Sequence, residues 1–384
     1  MEQVMNRLGK AVVIVVTLVA VAAVYVMNPS LPTPDGVVST ALYEPGELGM
    51  RRESISLTDS SRPTSANGDY AGDPARQLDG FVWYPEDAGQ APFPLIVYSH
   101  GFMSSVGEAD NLAEFLVPKG YVLVAVDYPL SNGGAPGGPT VTDVINQAGD
   151  VSFIIDSMLA RSMVADDELS GLIDEERIAA VGLSLGGLTT QLVTFHPSER
   201  DSRIKMAVSI AGPSAMLQSG FFDNADVPFM MIAGSSDAIV PYQDNAASIP
   251  ERVDNSLLVT LDQGSHTGFA GISSTFMRWF EHPDELVCPM LVSGLERDQE
   301  EQNSILEANL AAGITAAVSE PCAMESFPRA MRPGQQQMLT RLAVYAFLES
   351  SFAQESSRRQ AMLQYLQQDL EAENAPDLSV TANL

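Results

Sequence analysis

Ile178-Ala179-Ala180-Val181-Gly182-Leu183-Ser184-Leu185-Gly186-Gly187 joins an uninterrupted apolar run to a stretch, Gly186 to Phe195, with helical patterning. A short run of Ile, Ala and Val reads as a strand buried on both faces. The Gly-x-Ser-x-Gly that follows is the pattern of a tight strand-to-helix turn, which lifts a serine clear of the sheet where a base can reach it. The same turn explains the glycines, because side chains at Gly182 and Gly186 would collide where strand and helix approach closest. The helix N-terminus adds a field that favours developing negative charge. Ser184 is therefore the expected nucleophile.

Working outward, short apolar runs alternate with helical patterns from Gln77 onward, the order of a mostly parallel central sheet flanked by helices. Strands are expected at Gly80–Tyr84, Leu95–Ser99, Tyr121–Asp127, Ile178–Leu183, Met206–Ala211, Phe229–Ala233 and Leu257–Leu261. Helices are expected at Asn111–Val117, Val141–Met163, Gly186–Phe195 and Gln243–Ile249. This is an α/β domain over residues 77–352, with an excursion at about 281–333 that breaks the alternation. Residues 29–76, rich in Ser, Gly and Pro, read as linker and lead-in. Residues 353–384 read as a polar tail holding one more helix and a frayed end.

A serine hydroxyl needs a base, and the chain has only His100, His196, His266 and His282. His100 precedes the nucleophile at a strand end, His196 is carried by the helix after Ser184, and His282 stands before a proline. His266 follows the last core strand in a loop, Gln263-Gly264-Ser265-His266-Thr267-Gly268-Phe269, and is the expected base. The expected acid is Asp237, just past the strand Phe229–Ala233, where it can hold the imidazole tautomer and stabilise the imidazolium. Asp262 is the reserve, too close in sequence to reach around His266 easily. Two backbone N–H groups should face the substrate carbonyl: that of Leu185 after the nucleophile, and that of Phe102 in Ser99-His100-Gly101-Phe102-Met103. Phe102, Met103, Phe269, Phe276 and Trp279 are candidates for an acyl pocket, although aromatics at such spacing are more often plain core. Asp150 reads as a salt-bridge partner or cap.

Four segments, Pro94 to Gly101, Asp150 to Asp156, Gly182 to Gly187, and Gly234 to Asp237 with His266, together resemble the bacterial dienelactone-hydrolase-like and platelet-activating-factor-acetylhydrolase-like branch of the α/β-hydrolases. The resemblance covers roughly Gly80 to Ala270. It implies the α/β-hydrolase fold and cleavage of carboxylic esters through an acyl-enzyme, with Ser184, Asp237 and His266 as triad and no cofactor. True dienelactone hydrolases carry cysteine where this chain has Ser184, a departure from the pattern that argues against lactone activity, and the resemblance does not fix the substrate. The same triad could serve an acyltransferase or peptidase, and a catalytically silent, membrane-tethered binding protein is the reading from another class. Reaction with a fluorophosphonate separates that last reading from the others.

The 384 residues hold 20 basic and 49 acidic side chains, a formal charge of -29 that repels phosphate backbones, so nucleic acid is not an expected partner. A small-molecule or lipid-like ester is. Arg7 and Lys10 precede an uncharged run, Ala11 to Met27, near the lower length limit for a membrane crossing. That pattern predicts an uncleaved anchor with everything after Asn28 outside, or a secreted protein if a peptidase cuts near Ala20-Val21-Ala22. No cysteine stands directly after the run, which excludes a lipid-anchored form. Cys288 and Cys322 fall in the exported part and are expected to form a disulfide. With no other cysteine and no clustered histidine beside them, a metal site is not expected.

Overall fold

A computed structural model of the chain describes residues 14, 16–19, 32–295, 310–315, 317 and 319–383. Every strand expected from the apolar runs is present: β2 (Arg76–Pro85), β3 (Phe93–Ser99), β4 (Val122–Asp127), β5 (Ile173–Leu183), β6 (Ile204–Ile210), β7 (Phe229–Gly234) and β8 (Ser256–Leu261). Two edge strands complete the sheet, β1 (Met50–Asp59) and β9 (Leu378–Asn383). The order is β1-β2-β4-β3-β5-β6-β7-β8-β9. The six strands from β4 across to β8 are parallel, while β1, β2 and β9 run antiparallel to their inner neighbours.

The apolar runs follow from having helices on both faces. Ile96, Tyr98, Leu123, Ala179 and Val181 point into one core, which is shared with α2 (Asp110–Leu116) and α6 (Pro333–Phe352). Their neighbours Leu95, Val97, Val124, Ile178 and Ala180 point into the other, shared with α3 (Val144–Ser162) and α4 (Leu185–Phe195). Successive strand residues alternate between faces, so a strand covered on both sides is apolar at most of its positions.

The lead-in and the tail differ from expectation. Residues 29–76 contain α1 (Val37–Tyr43) as well as β1, and the tail continues through α7 (Ser356–Gln364) into β9. Both edge strands are mostly exposed and polar, so neither produces an apolar run. The helix expected over Gln243–Ile249 is two single turns, Tyr242–Asn245 and Ile249–Arg252. Pro250 starts the second turn and has no N–H with which to continue the first.

Asp150 is a salt-bridge partner, as its sequence position suggested. Its carboxylate takes Arg76 Nε and Nη2, both at 2.6 Å, and Arg62 Nη2 at 2.7 Å, while Arg76 also binds Asp143. Arg76, Asp143 and Asp150 have fully buried side chains. They tie the start of β2 to α3.

Cys288 and Cys322 are disulfide-bonded, and Cys288 lies on α5 (Asp284–Leu295). The bridge closes a loop with a sequence separation of 34, a constraint on the unfolded chain of about 3–4 kcal/mol in a chain-entropy account. Of the expected anchor Ala11–Met27, only Ile14 and Val16–Val19 are described, as exposed helix, and the rest lies outside the described residues. Among the described residues no helix is long and apolar enough to cross a membrane.

Candidate active site

Ser184 occupies the turn between β5 and α4 with φ 57° and ψ -119°. Such a backbone costs a non-glycine residue of order 1–3 kcal/mol and persists only where the surroundings enforce it. Here the Ser184 N–H donates to Ile210 O on β6 at 2.8 Å, and its carbonyl accepts from Gly187 and Leu188 at the start of α4. The expected glycine collisions are real. A Cβ on Gly182 would lie 2.1 Å from Gly186 O, and one on Gly186 would lie 2.0 Å from Ser99 O.

Asp237 follows β7 and His266 follows β8. Because β3, β5, β7 and β8 are parallel, the loops at their C-terminal ends emerge at one sheet edge, which brings Gly101, Ser184, Asp237 and His266 to the same side. His266 Nδ1 bonds Asp237 Oδ2 at 2.8 Å, and Asp237 Oδ1 accepts the N–H groups of Ile239 at 2.9 Å and Val240 at 2.7 Å. The carboxylate is thus pinned by two amides and left with one oxygen for the imidazole. Asp262, the reserve acid, is exposed and paired with Ser235, not with His266.

The remaining histidines hold structural positions. Buried His100 bonds Gly101 O through Nδ1 at 2.7 Å and accepts the Tyr128 N–H at Nε2, 3.0 Å, which assigns it as a neutral ring that braces the loop after β3 against β4. Burial lowers its pKa, in keeping with that role. His196 accepts the N–H groups of Ser198 and Glu199 where α4 ends. His282 Nε2 bonds Ser236 O at 3.1 Å, beside Asp237.

Within the loop after β3, the Gly101 N–H is taken by Glu108 and the Met103 N–H by Ser131 O. Among the described residues the amides of Phe102 and Leu185 have no protein acceptor, as groups reserved for a substrate oxygen should. A Cβ built on Gly101 would lie 3.3 Å from Ser184 Cβ and 3.5 Å from Glu108 Oε2, so this loop runs directly beside the serine. The aromatic candidates divide: Phe269 is core, whereas Phe276 and Trp279 are exposed.

Sequence reasoning missed four side chains around His266. Gln336, buried on α6, accepts the Ser265 N–H at 3.1 Å and donates to Ser265 O at 2.6 Å, and Gln337 donates to Gly268 O and Ala270 O. Asp284 approaches the same loop from α5, accepting the His266 and Thr267 N–H groups at 3.0 and 2.7 Å. Glu108, whose carboxyl burial pushes up, accepts the Tyr98 hydroxyl and acts on His266 electrostatically. These partners are separated from His266 by up to 158 positions and follow no local pattern, so no signal in the chain marks them. Burial opposes a charge on His266, but Asp237, Asp284 and Glu108 all direct negative potential at it and raise its pKa above the ordinary value of 6.5.

A strained serine at a strand-to-helix turn, an imidazole–carboxylate pair and two uncommitted amides on one sheet edge define a serine hydrolase of the α/β-hydrolase fold. The family model described as PETase, PET hydrolase-like, matches residues 49–281, and the chain belongs to that family. It is a carboxylic ester hydrolase, and the α/β-hydrolase branch expected from the four segments is borne out. Among solved structures, a ferulic acid esterase from Streptomyces cinnamoneus superposes with a TM-score of 0.51 at 18% sequence identity. The match covers 80% of this chain and 92% of that one, a likeness of fold. In all, 1179 chains of known structure match. No curated protein matches the chain.

Proposed function

We propose that Ser184 is the nucleophile, His266 the general base and Asp237 its orienting acid in a two-step hydrolysis of small or lipid-like carboxylic esters. The observation that carries this reading is the 2.8 Å Asp237–His266 pair on the sheet edge from which the Ser184 turn projects. Asp237 holds the proton on Nδ1, leaving Nε2 to take the Ser184 proton as Oγ attacks the ester carbonyl. The Phe102 and Leu185 amides receive the developing oxyanion. Imidazolium then protonates the leaving alcohol, and water, deprotonated by the same ring, releases the acid and frees Ser184. Apart from the attacking water, each step uses side chains and amides of this chain. Hydrolysis of p-nitrophenyl esters from acetate to decanoate by the chain from about Asn28 onward tests it, with Ser184→Ala alongside. Activity lost in the variant supports the assignment, and equal activity in both sinks it.

We further propose that Ala11–Met27 anchors the protein in a membrane, with the catalytic domain on the periplasmic or extracellular side. Arg7 and Lys10 before the uncharged run support that orientation, and the Cys288–Cys322 disulfide fits an oxidising compartment. Fractionation followed by protease treatment of intact cells is the check: activity in the soluble cytoplasmic fraction contradicts it.

A further inference from the structure

Asp284 is wholly buried at the start of α5, in the excursion that the sequence left without a role. An aspartate opening a helix ordinarily accepts N–H groups of its own first turn. This one reaches across to two other loops. Its Oδ2 accepts both the Ala238 N–H at 3.1 Å and the His266 N–H at 3.0 Å, and its Oδ1 accepts the Thr267 N–H at 2.7 Å. A single oxygen atom is therefore the common acceptor of the residue after Asp237 and of His266 itself.

We propose that Asp284 is a positioning residue for the hydrolysis, setting the separation of the Asp237 and His266 loops through that shared oxygen. The inference rests on the triad reading above. The surrounding excursion reinforces the same point. The Ala238 carbonyl accepts the Cys322 N–H at 2.6 Å, and Cys322 is disulfide-bonded to Cys288, one helical turn beyond Asp284. His282, two residues before Asp284, bonds Ser236 O. Both neighbours of Asp237 are thus held by the excursion, and Asp237 has little freedom to move apart from it. At its far end α5 also touches the oxyanion loop: a Cβ on Gly294 would lie 3.6 Å from both Phe102 Cε1 and Met103 Sδ. The charged groups facing the His266 ring are Asp237 from the loop after β7, Glu108 from the loop after β3, and Asp284 from α5.

Asp284→Asn keeps the size of the side chain but places an NH2 group against backbone N–H donors and removes one negative charge from beside His266. Displacing a catalytic group by about 1 Å costs on the order of 10²-fold in rate. The expected result is kcat lowered about 10- to 100-fold on p-nitrophenyl butyrate with KM within about twofold. The acid limb of kcat/KM should also move to lower pH, since a charge that favours the imidazolium is gone. A folded variant with wild-type kcat and an unmoved pH profile overturns the proposal. If Asp284→Asn does not fold, Asp284→Glu decides: reduced kcat at wild-type KM and Tm carries the assignment, while wild-type kcat, or failure to fold here too, makes Asp284 a structural residue only. Ser184→Ala in the same assay separates this outcome from failure of the triad, because activity persisting there condemns the triad reading whatever Asp284 does.

Discussion

Asp237 Oδ2 lies 2.8 Å from His266 Nδ1 while its Oδ1 is occupied by the amides of Ile239 and Val240, so the acid has one free oxygen and a fixed direction in which to use it. Asp237→Asn preserves the shape but offers the ring the wrong tautomer. We expect kcat to fall by about 10⁴-fold with the fold intact, read from p-nitrophenyl ester kinetics beside circular dichroism. Wild-type turnover in this variant would remove Asp237 from the mechanism.

The pH dependence follows from the sign of the His266 shift. The base works only when neutral, and its pKa is raised above 6.5 by the carboxylates that outweigh its burial. Activity should therefore rise with pH through a midpoint above 6.5, with the acid limb of kcat/KM lying higher than for an isolated histidine. A midpoint at or below 6.5 would contradict the electrostatic picture.

Gly186→Ala tests the turn itself. The new Cβ would sit 2.0 Å from Ser99 O, a backbone atom of β3 that cannot swing aside. Overpacking of this kind costs about 3 kcal/mol. Fluorophosphonate labelling of Ser184 should drop with the midpoint of urea unfolding; a variant with wild-type midpoint and labelling contradicts the geometry.

Arg76 is buried between Asp143 and Asp150, and Arg76→Met leaves both carboxylates without their main partner. Removing one member of a buried pair costs about 3–5 kcal/mol. Urea unfolding should register that loss while kcat of the folded fraction stays unchanged, because the network lies on the α3 side, away from the triad loops. A change below about 1 kcal/mol would indicate that the carboxylates find other partners.

A cleft of about 1000 Å³ takes Met103 and Glu108 from the loop after β3, although neither Ser184 nor His266 lines it; Asp110, Glu114 and Asp127 add negative charge, and Arg341 is the one basic lining residue among the described residues. Its field should favour esters with cationic or neutral alcohols over isosteric anionic ones, by roughly tenfold in kcat/KM at low salt, narrowing as salt is raised. Equal rates for cationic and anionic esters at low ionic strength would show that substrate does not pass this cleft.

What could be read from the chain was local. The run from Ile178 to Gly187 declares strand, turn and helix within ten residues, and the order of Ser184, Asp237 and His266 leads to the triad proposed above once the sheet is parallel. The edge strands could not be read the same way. In Met50–Asp59 only Ile55 and Asp59 are buried, so the hydrophobic pattern that reveals a central strand is absent. Asp284 and Gln336 escaped for another reason: their partners are backbone amides and carbonyls of other loops, and any residue supplies those. Conversely, the reading of Asp150 as structural succeeded because its neighbours in sequence already placed it on a helix, away from the strand ends where chemistry collects.

One contact reaches across nearly the whole length of the chain. Glu373, just before β9, accepts the N–H groups of Val38 and Ser39 at the start of α1, and Ser39 Oγ bonds the hydroxyl of Tyr365. The place where the polypeptide enters the domain is thereby fastened to the place where it leaves. A pull applied through the residues before Pro34 is borne first by that clasp and by the C-terminal helices behind it, and the catalytic edge of the sheet feels it last. In the anchored form proposed above, this clasp would be strain relief: the domain could be tugged and tumbled without its working parts carrying the force.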